Sequence, residues 1–152
     1  MCKALYIASD RPLPVTKQPE YPKDCTKSPT WPREAQRFHT ATLKPTQEGV
    51  RSHFSYPHVR YAGSYEGCGC GFNYGREYPE AEDDAEHLTA ARESVAELVR
   101  YVRDSGVREI YSCCFDDESK PTVHQRTITP DTLASPEFVF GDDELLRIDH
   151  DT

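Results

Sequence analysis

The residues best placed to do chemistry are two cysteines spaced by glycines, in the run Gly67-Cys68-Gly69-Cys70-Gly71. Thiolates at i and i+2 can share one soft metal ion, and zinc is the cofactor such a pair implies. Two sulfurs do not complete a zinc site. Cys113 is the expected third ligand, because of the adjacent residues Cys113 and Cys114 on a strand only one can face inward. Cys2 and His58 are further candidates if their strands are neighbours. The same cysteines also fit two other roles: small buried apolar groups in a tight turn, or a nucleophile. A nucleophile needs a thiol pKa depressed by a nearby cation, and Arg76 is the closest one in sequence.

The alternating glycines permit positive φ and close backbone approach, which can turn N–H groups toward a ligand. The ligand-contacting set read from this loop is Tyr65, Gly67, Gly69, Gly71, Tyr74 and Arg76. It is no phosphate loop of known type, since Phe72 to Pro79 separate it from the next predicted helix.

Two other groups carry weaker signals. Asp10 ends one predicted strand, and Asp116, Asp117 and Glu118 end another. If those strands were parallel neighbours, their carboxylates would meet and could hold Mg²⁺ through oxygen ligands. Phe54, Tyr56, Tyr61, Tyr65, Phe72, Tyr74 and Tyr78 crowd aromatic surface into a short stretch, which suits either a protein partner or stacking across strands. No Gly-x-Ser-x-Gly elbow and no His-Glu-x-x-His pair occurs.

These groups need a scaffold. The 152 residues fit one α+β domain spanning 1–152, enough to bury a core without staples. Lys3 to Ser9 is a short apolar run that reads as a buried strand. Residues 11–33 hold six of the twelve prolines, so an irregular arm is expected there, laying Val15, Tyr21 and Trp31 on the body. Residues 37–43 and 58–63 read as strands, with a weaker one at 50–56. Leu88, Ala91, Val95, Leu98 and Val102 recur at three and four residues and predict one long helix at about 83–105, facing the sheet. Residues 107–115, 122–128, 137–140 and 145–148 follow as strands, the last two as a hairpin across Gly141, with a helical turn at 129–134. The expected architecture is a mixed or antiparallel sheet of four to six strands carrying that helix.

Charge narrows the partners. Residues 1–61 hold ten Lys/Arg against five Asp/Glu, and residues 62–152 hold eight against twenty-one. The net charge of -8 repels phosphate backbones, so nucleic acid is disfavoured. No apolar stretch approaches the ~20 residues of a membrane span, and the first is too short for a signal peptide. The cytoplasm is therefore the expected compartment, where cysteines stay reduced. Three functions remain open: an interaction module working through the loop 61–78 and binding a protein partner, a small enzyme using a loop cysteine or the acidic strand ends, and a structural metal-binding protein. The sequence favours the first.

Overall fold

A computed structural model describes residues 2–16, 32–74, 76 and 85–150. Six strands, β1 (Lys3–Ser9), β2 (His39–Ala41), β3 (His58–Gly63), β4 (Glu109–Cys114), β5 (His124–Ile128) and β6 (Glu144–Ile148), form one mixed sheet. Their order is β2-β3-β1-β4-β6-β5. All neighbours are antiparallel except β5 and β6. The helices are α1 (Cys70–Asn73), α2 (Ala85–Ser105) and α3 (Pro130–Ala134). The expected α+β sheet with one long helix is present.

Strand alternation sends successive side chains to opposite layers. Leu5, Ile7, Ile110 and Leu146 face α2, where Leu98, Val99 and Val102 meet them. On the other face Tyr61, Tyr6 and Tyr111 stand in one cross-strand row, since Tyr6 is paired in register with both of the others. That row is covered by the 3-10 helix Pro45–His53, whose Val50 is buried in the same cluster. His53 stacks on Tyr111 with ring centroids 3.9 Å apart.

Several expectations are corrected. The weak strand at 50–56 is replaced by that 3-10 helix, and the strand at 37–43 shortens to His39–Ala41. Residues 137–140 are not a strand, and no hairpin crosses Gly141. Phe138 and Phe140 are buried as the alternation implies, but the Phe140 backbone is satisfied by Asn73, through N–H to Oδ1 at 2.8 Å and C=O from Nδ2 at 3.0 Å. With those groups taken, β6 pairs with β4 and runs parallel to β5 instead.

The helix stripe is also rotated slightly. Ala90, Ala91, Ser94, Leu98, Val99 and Val102 are buried, whereas Leu88 and Val95 are half-buried and line a cleft of about 380 Å³ beside α3. In the arm, Leu13 is buried at 2% exposure while Val15 stands 51% exposed. Thr16 and Thr40 exchange hydrogen bonds, each backbone N–H donating to the other's hydroxyl at 3.0 and 2.8 Å. Tyr21 and Trp31, and the helix-start residues Asp83 and Asp84, lie outside the described residues.

Candidate metal centre

The glycine-cysteine loop closes on itself before it meets the sheet. After β3, the Gly67 N–H donates to the Ser64 carbonyl at 2.9 Å, and the Ser64 N–H donates to the Cys68 carbonyl at 3.0 Å. Gly67 sits at φ 83°, the left-handed region that glycine enters at little cost. The Tyr61 hydroxyl, on the central row, donates to the Gly67 carbonyl at 2.6 Å and ties the turn to the sheet. From the other side, Ser94 of α2 accepts the Tyr65 N–H at 3.1 Å.

The loop then docks on the first residues of β1. The Gly69 N–H donates to the Lys3 carbonyl at 2.8 Å, and the Lys3 N–H donates to Cys70 Sγ at 3.1 Å. A Cβ on Gly69 would stand 3.1 Å from the Lys3 carbonyl oxygen, so this approach favours the smallest residue. One on Gly71 would meet Ser64 Oγ at 2.2 Å. Because the loop pairs with Lys3, the residue before it is drawn in. Cys2, Cys68 and Cys70 bring their sulfurs within 4.8 Å of one another.

Cys113 is not in this cluster. It is fully buried on the tyrosine face, with Sγ 4.0 Å from Glu118 Oε2. Burial first, and the Glu118, Asp143 and Asp117 carboxylates next, push its thiol well above the ordinary range. Cys70 is opposite in character. A hydrogen bond from the Cys68 thiol and the Lys3 N–H bring its pKa down to about 6, against the contrary pull of burial and Glu66. The Cys68 thiol is correspondingly held up by that hydrogen bond and by burial.

Arg76 does not supply the cation expected for Cys70. Its guanidinium donates to the Phe72, Leu133 and Ser135 carbonyls and clamps α1 to α3. Burial lowers its pKa to about 10, which leaves it charged at neutral pH. Arg76 and Tyr74 line the 380 Å³ cleft, away from the sulfurs. Tyr65 is fully buried, its hydroxyl bonded to Glu66 at 3.0 Å and to His87 Nδ1 at 2.9 Å. The expected ligand set is thus divided: Gly67, Gly69 and Gly71 shape the cysteine loop, Tyr65 is core, and Tyr74 and Arg76 belong to another hollow. Tyr61, Tyr65 and Phe72 are buried and Phe54 and Tyr56 are partly buried against the cluster that holds Tyr61, so these five rings serve packing. Tyr78 lies outside the described residues.

The shared acidic site is excluded by strand direction. β1 and β4 are antiparallel, with Lys3 opposite Cys114 and Ala8 opposite Glu109. Asp10 and the 116–118 carboxylates therefore stand at opposite ends of the sheet, roughly 20 Å apart at ~3.3 Å per strand residue. The loop does lead into helix, contrary to expectation, but α1 is only four residues long.

Beside the sulfurs opens a cavity of about 670 Å³ whose lining includes Cys2, Cys68, His39, Lys44, Tyr61 and Phe115. His39 is 2% exposed and its Nδ1 has no partner. Burial lowers its pKa. Its ring packs where a Cβ on Gly63 would be, 2.1 Å from Cε1, so glycine opposite it on β3 makes the room. His39 and Lys44 went unrecognised as site residues in the sequence. The readable signal was a histidine on a predicted strand, which nothing local links to Gly63.

No protein-family model, curated protein or solved structure matches this chain.

Proposed function

We propose that this protein binds a soft transition-metal ion, zinc in the first instance, through the thiolates of Cys2, Cys68 and Cys70. The observation that carries the reading is the convergence of three sulfurs within 4.8 Å from two separate chain segments. Around a tetrahedral zinc with Zn–S bonds of about 2.3 Å, sulfurs lie about 3.8 Å apart, so small side-chain adjustments suffice. Cys2 is exposed and has the freedom to make them. A neighbouring N–H donor on Cys70 favours its thiolate form, the form that ligates. The reading implies a reducing compartment such as the cytoplasm, where the thiols stay unpaired.

An aromatic protein-docking surface has less support, since its central tyrosines are buried. Metal binding accounts for why a loop with almost no side chains of its own is fixed by Tyr61, Ser64 and Lys3.

Reduced protein, purified without an affinity tag and titrated with zinc, should take up one ion per chain. Peptide mapping after alkylation should show Cys2, Cys68 and Cys70 protected by zinc. The paired substitution Cys68→Ser and Cys70→Ser should fold and lose uptake. At zinc 100-fold above Kd, stability should rise by about 2.7 kcal/mol. Reduced protein that takes up no zinc or copper(I) would overturn the reading.

A further inference from the structure

Three protein ligands leave a four-coordinate metal one position short, which is the arrangement of working metal sites rather than closed structural ones. Two of the three ligand residues, Cys2 and Cys68, line the 670 Å³ cavity. The same cavity is lined by His39, a side chain almost wholly buried yet with its Nδ1 unpartnered. Nδ1 itself is sealed from solvent, so the cavity meets the rest of the ring. We propose that this cavity holds a small uncharged organic molecule. Its nitrogen or oxygen lone pair completes the metal's coordination, and its body packs against the His39 ring. The inference rests on the thiolate metal reading and extends it to a second ligand.

Size and charge both select the class. The cavity falls within the usual range of small-molecule sites, about 300–1,000 Å³. Tyr61 and Phe115 give it flat apolar walls suited to an aromatic or aliphatic body. Three thiolates overcompensate a divalent ion, so the centre carries net negative charge and disfavours an anion. Glu66, which also lines the cavity, adds to that. Lys44 offsets only part of it. A neutral donor such as an imidazole-type nitrogen or an alcohol meets no such penalty.

The test uses the full chain loaded with Co²⁺, whose visible spectrum reports coordination directly, with imidazole as neutral probe and azide as anionic probe. Imidazole should shift the d–d bands in a saturable way, and azide at the same concentration should not. His39→Ala removes the ring that the body packs against, and should weaken imidazole about tenfold. Its Co²⁺ affinity should be unchanged. Ala41→Trp, which fills the cavity from β2, should abolish the imidazole response while leaving Co²⁺ bound. Failure of Co²⁺ to bind at all would sink the thiolate reading itself. Binding of Co²⁺ with a spectrum blind to imidazole would overturn only the present inference. So would an imidazole response that survives Ala41→Trp, or an equal response to azide.

Discussion

Two groups of cysteines sit near the same end of the sheet and have opposite chemistry. Lys3 pairs with Cys114 and Ala4 with Cys113 across β1 and β4, while Lys3 also meets Cys70 through its N–H. On the loop side a sulfur receives donors, and its thiolate is favoured. On the β4 side Cys113 is enclosed by apolar groups and faces carboxylates, and its thiolate is disfavoured. The difference teaches that what surrounds a sulfur, rather than cysteine density, decides which can ligate or react. The pair read from sequence as equivalent ligands is split by a single strand's width.

The largest expected effect is in labelling. In reduced, metal-free protein at neutral pH, Cys70 should react with iodoacetamide about a thousandfold faster than Cys113, or more. Cys113 is 0% exposed, so it reacts only when the sheet opens, an event costing several kcal/mol. Residue-resolved mass spectrometry would measure both rates. Comparable rates would erase the comparison.

Leu98→Ala sharpens it from a distance. Leu98 is buried on the helix face of the sheet, opposite the face that holds Cys113, and truncating it should cost about 2–5 kcal/mol. If Cys113 labels through opening, its rate should rise by the same factor, from about 30-fold to a few thousand-fold. Cys70 labelling should not change. A loss below about 0.5 kcal/mol in urea melts, typical of surface sites, would mean that Leu98 does not anchor this layer.

A smaller effect separates the sites by burial. Cys113→Ser draws the donor atom back from Glu118 Oε2, already 4.0 Å from Sγ, and should cost about 1–3 kcal/mol. Cys2→Ser, at an exposed position, should stay within about 0.5 kcal/mol. Reversed costs in paired denaturant melts would show that the exposed cysteine, not the buried one, is structural.

These contrasts were only partly legible in the sequence. β1 and β3 have the bounds that their apolar runs between Asp, Pro and Gly implied, because local pattern fixes a strand when both its ends are punctuated. The α2 stripe gave the inward face but not its limits. Periodicity says which way Val95 and Leu88 point, whereas α3 and the sheet decide how far they are covered, and α3 stops short of closing over them. The glycine-cysteine loop was recognisable by composition. Its partner Cys2 was only one of several candidates, since what brings it in is the Gly69 to Lys3 hydrogen bond between residues far apart in the chain. Residues 137–140 have strand alternation, but the Asn73 side chain takes both backbone groups of Phe140, and no local pattern announces such a substitution.

The smallest effect, and the one nearest the proposed centre, is the pH profile of Cys70 alkylation in metal-free protein. The hydrogen bond from Cys68 is the largest influence on Cys70, followed among the lowering ones by the Lys3 N–H, and together they place its midpoint at about 6. The thiolate is the reacting form, so the rate should climb as pH rises through about 6 and then level off. Between pH 7 and pH 8 an ordinary thiol, with pKa near 8.5, speeds up about eightfold, whereas Cys70 should gain only about a tenth. Cys68→Ala removes the main donor while leaving the Lys3 N–H in place. The midpoint should then move upward and the rise between pH 7 and pH 8 should become steeper. Glu66→Gln should shift it the other way, because the Glu66 carboxylate disfavours the Cys70 thiolate. An upward shift with Glu66→Gln, or no shift with Cys68→Ala, would mean that the Cys68–Cys70 pairing is not what distinguishes this sulfur from Cys113.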